Sequence, residues 1–256
     1  MLTITNGKVI SDMEILENKN IVLDDGKIIS IADDIPAGSK VLDAAGNYVS
    51  PGFVDIHIHG ADGCDVMDGT YDSVNRISKA IARHGVTSFV PTTMTLGKDR
   101  IANAIANIRE CKKRGTEGAG ILGLHIEGPF ISPNARGAHD LQYIVPPDAE
   151  FLADIADSDY SIIKQITIAP ELEGAKDFIK FIVGQGMIAS IGHSAGTYED
   201  AIGAIECGAS HSTHLYNAMT PLKHRAPGIV GAIFDSGITT EMICDGIHLH
   251  FAAIRL

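Results

Sequence analysis

Residues 53–59 read Phe53-Val54-Asp55-Ile56-His57-Ile58-His59, and this stretch decides how the rest of the sequence is interpreted. Its apolar residues predict a buried β-strand, along which side chains alternate with a period of two. His57 and His59 are therefore expected on the same side of the sheet, at the carboxyl end of the strand. A single histidine in such a position is most often structural, whereas a His-x-His pair leaves a metal site and a structural role equally open.

Six more predicted strands follow this first one, at 88–92, 121–126, 163–168, 188–191, 212–215 and 242–244. Between them lie segments with helical periodicity, at 71–84, 99–114, 174–184 and 198–207. Alternating strands and helices predict a parallel sheet. Periodicity alone leaves two folds open, a doubly wound open sheet and a closed (β/α)8 barrel.

Polar residues at the strand ends favour the barrel. Glu127, His193 and His214 each stand at or near the end of a later strand. In a barrel these ends form one rim, so the three side chains would meet the two earlier histidines, whereas an open sheet would scatter them. The alternative is a set of unrelated polar residues at turns. We predict an α/β protein with a (β/α)8 TIM barrel, about seven of its eight strands lying in residues 51–256.

The same residues indicate the chemistry of the predicted site. Several histidines with one carboxylate suit Zn, Fe, Mn or Co, because imidazole is a borderline-soft ligand and a carboxylate can bridge two ions. The sequence therefore predicts a divalent metal centre with one or two ions on the rim of the barrel.

Residues 1–50 have a different pattern from the rest of the chain. Short β segments are predicted at 2–4, 8–10, 20–23, 27–31 and 40–43, separated by turn signals such as Asn6-Gly7 and Asp24-Asp25-Gly26. We predict a small antiparallel unit that precedes the barrel.

Composition limits the function classes. The 256 residues carry a formal net charge of −12, which offers no basic surface for nucleic acid or an anionic membrane. The four cysteines form no CxxC pair, as expected in a reduced compartment. The sequence has neither a signal-peptide pattern at its start nor an apolar stretch of the roughly 20 residues that a membrane span needs. We therefore expect a cytoplasmic protein.

Four stretches carry a specific resemblance: residues 51–60 (PGFVDIHIHG), 125–130 (HIEGPF), 192–194 (GHS) and 213–219 (THLYNAM). Together, in this order and spacing, they resemble the signature segments of the N-acetylglucosamine-6-phosphate deacetylase family of amidohydrolases. The resemblance implies a distorted (β/α)8 barrel with a small β-sandwich built from the N-terminal strands.

The resemblance also implies which residues bind metal. By the family pattern Glu127, His193 and His214 hold one divalent ion. His57 and His59 hold a second ion in those members that keep both histidines, and this sequence keeps both.

Substrate contacts are implied at Ala138, Asn217, Ala218, Arg225 and His248. The fixed donors of Arg225 fit a phosphate group. In relatives the corresponding arginine reaches the active site of the neighbouring subunit, which implies a homodimer. The implied substrate is N-acetylglucosamine 6-phosphate, with N-acetylgalactosamine 6-phosphate left open.

The family's catalytic aspartate follows an eighth strand, so we expect it beyond residue 256 and assign no catalytic residue here. Two other functions stay open. One is a metal-binding fragment without catalysis. The other is a different amidohydrolase, resembling dihydroorotase or hydantoinase, which should carry a lysine near the end of the fourth strand. That strand ends in Thr167-Ile168-Ala169-Pro170, and Lys164 lies at its beginning.

Overall fold

A computed structural model of the chain describes residues 1–12 and 14–256. These residues form two compact units, Met1–Phe53 and Val54–Leu256. None of the helices in the described ranges is both long and apolar enough to cross a lipid bilayer.

The first unit is a five-stranded sheet. Its strands are β1 (Leu2–Ser11), β2 (Glu14–Asp24), β3 (Lys27–Ala32), β4 (Lys40–Asp43) and β5 (Tyr48–Val49). The order is β3-β2-β1-β4, and β5 also pairs with β1. The prediction of an antiparallel unit holds for β1, β2 and β3 but is wrong for β4 and β5, which run parallel to β1. Neither strand is joined to β1 by a hairpin, so no tight turn fixes its direction.

The predicted turn at Asn6-Gly7 is also absent from this unit. Residues 2–11 form one strand whose pairing register shifts on either side of Gly7. A Cβ atom at Gly7 would lie 2.6 Å from Cγ2 of Val49, so the glycine here permits close approach of β5 rather than a reversal of the chain.

The second unit alternates strands and helices. Its elements are β6 (Phe53–Ile58), β7 (Gly60–Ala61), β8 (Cys64–Asp65), α1 (Tyr71–Ala82), β9 (Val86–Pro91), α2 (Lys98–Arg114), β10 (Gly120–Ile121), β11 (Leu124–Glu127), α3 (Ala149–Ala156), β12 (Ile163–Ile168), α4 (Ala175–Gly184), β13 (Ile188–Ile191), α5 (Tyr198–Glu206), β14 (His211–Ser212), α6 (Gly228–Ser236), β15 (Thr239–Thr240) and α7 (Phe251–Ile254).

The main strands of this unit follow chain order around a parallel sheet. One part has the order β10-β9-β6 and the other the order β11-β12-β13-β14-β15. A parallel bridge between Thr92 and His125 joins the two parts. Counting β10 and β11 as one interrupted strand, seven strands lie side by side in the order of a (β/α)8 barrel.

Several of the predicted strands end or begin at other residues, and two of these differences bear on the polar cluster. The strand predicted at 212–215 covers only His211–Ser212, because His214 adopts a positive φ of 30° that ends the extended backbone. The strand predicted at 242–244 lies earlier, at Thr239–Thr240, where its residues pair with β14. The apolar run Met242–Cys244 indicated a strand, but pairing with β14 sets the register.

The four predicted helices are present, and the sequence reasoning missed α3 and α6. Helix α3 has only eight residues and begins at the N-cap Asp148, whose carboxylate accepts a hydrogen bond from Glu150 N. Helix α6 contains Gly228 and Gly231, which usually disfavour helices. A Cβ at Gly231 would lie 2.4 Å from Cβ of Pro227, so tight packing explains that glycine.

Candidate metal centre

Glu127 is the centre of the polar cluster at the carboxyl ends of the strands. It is the last residue of β11 and is 1% exposed. Five imidazole Nε2 atoms surround its two oxygens. Those near Oε1 are His214 at 3.0 Å, His193 at 3.2 Å and His57 at 3.5 Å, and those near Oε2 are His59 at 3.0 Å and His139 at 3.5 Å.

The histidines predicted from the sequence form two facing pairs. The Nε2 atoms of His193 and His214 lie 3.0 Å apart, and those of His57 and His59 lie 3.2 Å apart. The structure therefore brings together all five predicted ligands, with Glu127 between the two pairs.

Local backbone conformation turns one of these pairs inward. His193 and His214 have φ angles of 47° and 30°, in the left-handed region that non-glycine residues rarely adopt. Such strain concentrates at functional sites. Next to His193, a Cβ at Gly192 would lie 2.7 Å from Cβ of Thr213, so only glycine lets these two loops meet.

Contacts at Nδ1 show which imidazole nitrogens are free to bind an ion. The Nδ1 atoms of His193 and His59 lie 2.9 Å and 3.2 Å from the carbonyl oxygens of Ala135 and Thr92. A carbonyl only accepts hydrogen bonds, so each Nδ1 carries a proton, and in the neutral ring each Nε2 then keeps its lone pair. An outer hydrogen bond of this kind is what fixes a ligand histidine in metal sites.

His139 was not predicted from the sequence as part of this cluster, and it has the opposite tautomer. The backbone N–H of Thr95 donates to its Nδ1 at 3.2 Å, so in the neutral ring the proton lies on Nε2, which faces Glu127. His139 is therefore arranged to donate a hydrogen bond rather than to bind an ion. It follows no strand, so its place in the sequence lacks the signal that marks the other histidines of the cluster.

The charges in the cluster are strongly coupled. Burial opposes ionisation of Glu127, but hydrogen bonds from the surrounding imidazoles outweigh it and hold the pKa well below the ordinary value. Burial also opposes ionisation of His57 and by itself would lower its pKa. Hydrogen bonds and negative charge from Glu127 and Glu241 outweigh burial and raise the pKa of His57 to about 10. For His139, burial is the main cause of a lowered pKa.

The donor atoms fit a divalent ion. Two ligands bound at about 2.0–2.1 Å in tetrahedral geometry lie about 3.3 Å apart. Glu127 Oε1 and the Nε2 atoms of His193 and His214 are separated by 3.0–3.2 Å. His57 and His59 face the same carboxylate at 3.5 Å and 3.0 Å, so Glu127 has the position of a bridge between two ions.

The predicted substrate residues differ in their surroundings. Ala138 lines a cavity of about 360 Å³ together with Asp65, Arg100 and other residues. Asn217 and Ala218 follow His214, and the carbonyl of Ala218 accepts a hydrogen bond from Ser194 N at 2.9 Å, which ties the two ligand loops together. Arg225 and His248 are exposed.

His248 also has a carboxylate partner of its own. Its Nδ1 lies 2.7 Å from Oδ2 of Asp245. Hydrogen bonds from the backbone and the ring of His248 lower the pKa of Asp245 to about 2, so this carboxylate is ionised and accepts from the ring at neutral pH.

Binding of an ion at His57 is expected to release a proton. With its pKa raised to about 10, the metal-free His57 is protonated at pH 7, and an ion needs the neutral ring. Each ion that binds at His57 should therefore release about one proton from this ring at pH 7, and none well above pH 10. Calorimetric titration in two buffers of different ionisation enthalpy would measure this number, and a heat independent of the buffer would contradict it. The groups around this ring are Glu127, Glu241, His59, His125, His214 and Asp55.

Known proteins of one family are similar to this chain. Residues 48–256 match the model of the amidohydrolase family. An N-acetylglucosamine-6-phosphate deacetylase of Bacillus subtilis is 37% identical over 100% of this chain and 66% of its own length. An N-acetylgalactosamine-6-phosphate deacetylase of Escherichia coli is 36% identical over 94% of this chain and 63% of its own.

A solved structure is similar over nearly the whole chain. The crystal structure of N-acetylglucosamine-6-phosphate deacetylase from Pasteurella multocida superposes with a TM-score of 0.91 and 35% identity, covering 99% of this chain and 67% of that one. The chain spans about two thirds of the length of the relatives described. It therefore belongs to the amidohydrolase family, in which it groups with the N-acetylglucosamine-6-phosphate deacetylases.

Proposed function

We propose that this protein removes the acetyl group of N-acetylglucosamine 6-phosphate, giving glucosamine 6-phosphate and acetate. The observation that carries the proposal is the buried carboxylate of Glu127 between two facing histidine pairs. Relatives of similar sequence that carry the name of this activity support the choice of substrate.

The reaction breaks the C–N bond of an acetamido group, adds a water oxygen to the acyl carbon and returns a proton to the amine nitrogen. A bound divalent ion would acidify that water and polarise the acyl carbonyl. Glu127, His193 and His214 are proposed to hold one ion, and His57 and His59 a second.

Other residues of the chain would orient the sugar. We propose that His139 donates through Nε2–H to groups that enter the centre, because its tautomer is fixed by Thr95. Ala138, Asn217, Ala218 and His248 are proposed to contact the sugar. The free thiols of all four cysteines, each of which lies among the described residues, are consistent with the cytoplasm as the proposed location.

Acetate release tests the function directly. The 256-residue chain would be compared with a form extended by the C-terminal third of the Bacillus subtilis relative, because the known relatives are longer. Both would be given N-acetylglucosamine 6-phosphate, N-acetylgalactosamine 6-phosphate and unphosphorylated N-acetylglucosamine, with bound metal counted. We expect the fastest release from N-acetylglucosamine 6-phosphate. Faster release from the galactosamine compound would reassign the sugar. Metal-loaded protein that released no acetate from any of the three would contradict the proposal.

Arg225 is proposed to bind the phosphate in the site of a neighbouring subunit of a homodimer. Arg225→Leu should then raise the KM for the phosphorylated sugar roughly 10- to 100-fold, because a hydrogen bond to a charged group is lost. The KM for the unphosphorylated sugar should not change. Exposed Arg83 provides the matched control, Arg83→Leu.

Mixing two impaired variants tests whether the arginine acts across subunits. In a mixed dimer of Arg225→Leu and Glu127→Gln, one site keeps Glu127 and receives Arg225 from its neighbour, so activity should return. No recovery in verified mixed dimers would contradict that arrangement.

A further inference from the structure

A second buried carboxylate lies behind the metal centre. Glu241 directly follows β15, and its side chain is 11% exposed. Its Oε2 lies 2.5 Å from Nδ1 of His57, the nitrogen that points away from Glu127. Glu241 thus contacts the outer side of a proposed ion ligand.

The other oxygen of Glu241 is held by two further donors. Nε2 of Gln165 lies 3.0 Å from Oε1, and Nε2 of His211 lies 3.2 Å from it. An ionised carboxylate only accepts hydrogen bonds, so all three side-chain nitrogens donate to Glu241. These donors belong to β12, β14 and β6, so Glu241 joins three strands of the sheet.

Backbone hydrogen bonds fix Glu241 itself. Its N–H donates to the carbonyl of Ser212 at 3.1 Å, and its carbonyl accepts from Leu215 N at 2.8 Å. The carboxylate therefore has little freedom to follow a moving ring, and the ring of His57 is held where Glu241 places it.

The outer hydrogen-bond partner of His57 differs from those of His59 and His193. In the described part of the chain its outer nitrogen donates to a carboxylate, whereas those of His59 and His193 face backbone carbonyls. Because Nδ1 of His57 carries a proton, Nε2 is the atom left to bind an ion, and it lies 3.2 Å from Nε2 of His59. Outer partners of this kind orient a ligand and strengthen its basicity.

We propose that Glu241 is a positioning residue that holds His57 for the second divalent ion, so that binding of two ions rather than one depends on it. The ion at His193 and His214 does not depend on Glu241. This inference rests on the proposed metal centre and concerns its occupancy, which is measured without substrate.

Direct coordination by Glu241, with His57 and His125, is the competing arrangement. It is disfavoured because both oxygens of Glu241 already accept hydrogen bonds. In addition, Nε2 of the fully buried His125 lies 2.7 Å from the hydroxyl of Thr167.

The test is calorimetric titration of the metal-free 256-residue chain with Zn²⁺ and, separately, Co²⁺, with ion content measured after dialysis. We expect two sites in the parent chain. Glu241→Gln should weaken the second site roughly 10- to 100-fold and leave the first within about twofold. His57→Gln should abolish the second site, and Glu171→Gln, the same change at a carboxylate beside the His193 loop, should leave it intact. Thermal unfolding of each metal-free variant reports whether it is folded.

Each other outcome overturns the inference. A folded Glu241→Gln variant with unchanged second-site affinity removes the positioning role. Equal weakening of both sites makes Glu241 a general structural residue, and a single site in the parent chain removes the second ion. An ion that is lost in Glu241→Gln but kept in His59→Gln would show direct coordination.

If Glu241→Gln fails to fold, a second variant keeps the inference testable. His211→Gln removes one donor from the same carboxylate and should still weaken the second site selectively. None of these results depends on acetate release, so failure here is distinguishable from failure of the proposed function.

Discussion

Replacing Glu127 with glutamine is expected to abolish binding of both ions and, with it, any acetate release. The carboxylate touches both histidine pairs, so its loss removes a ligand from each proposed ion at once. A neutral amide also leaves the centre without the negative charge that offsets a divalent ion. The loss of affinity should exceed the roughly 100-fold that removal of an outer partner costs. Ion content after dialysis, measured by mass spectrometry, gives the result.

Two controls make this prediction specific. Glu117→Gln makes the same change at an exposed carboxylate that pairs with Lys79, and it should leave the ion content unchanged. Far-ultraviolet circular dichroism should show that the Glu127→Gln chain keeps its fold. A folded Glu127→Gln variant that still binds two ions would mean that the carboxylate does not bridge them.

Replacing Phe130 with alanine is expected to cost about 3–5 kcal/mol of the free energy of unfolding. Phe130 lies three residues after Glu127 and is fully buried. Its ring centroid lies 4.7 Å from that of Phe178 on α4 and 5.8 Å from that of Phe151 on α3. The alanine leaves a cavity between two helices and the strand end that carries Glu127. Such a loss is a large part of the roughly 5–15 kcal/mol that stabilises most proteins.

Urea denaturation of the metal-free chain would measure this cost, because bound ions would add their own stabilisation. Phe130→Leu keeps most of the volume and should cost less than about 1.5 kcal/mol. Phe251→Ala, at a side chain that is 60% exposed, is the surface control and should change stability by no more than about 0.5 kcal/mol. A similar small loss for Phe130→Ala would contradict the packing described.

Much of the barrel could be predicted from sequence because its signals are local. Strand β12 matches its predicted bounds, and helix α1 begins at the predicted residue, since each has a regular apolar pattern. The shift of β15 could not be predicted, because its position depends on pairing with β14, which lies almost thirty residues earlier. Pairing partners distant in sequence also decided the direction of β4 and β5 in the first unit.

The candidate metal centre likewise contains residues that could be predicted from the sequence and residues that could not. Residues at strand ends, such as Glu127 and His59, were selected by a rule of position and lie together in the structure. His139 and Glu241 were not, because one lies in a loop and the other follows a strand that was placed three residues too late. His125 lies two residues before Glu127 on the same strand, so strand alternation did contain a signal for its inward direction.

The most direct measurement is anomalous X-ray diffraction from crystals of the 256-residue chain grown with Co²⁺ and collected at the cobalt edge. We expect one peak at about 2.0–2.2 Å from Glu127 Oε1 and from the Nε2 atoms of His193 and His214. We expect a second peak between Glu127, His57 and His59. Peaks whose ligands exclude Glu127, or full cobalt occupancy elsewhere with none at this carboxylate, would show that Glu127 is not the centre of a two-ion site.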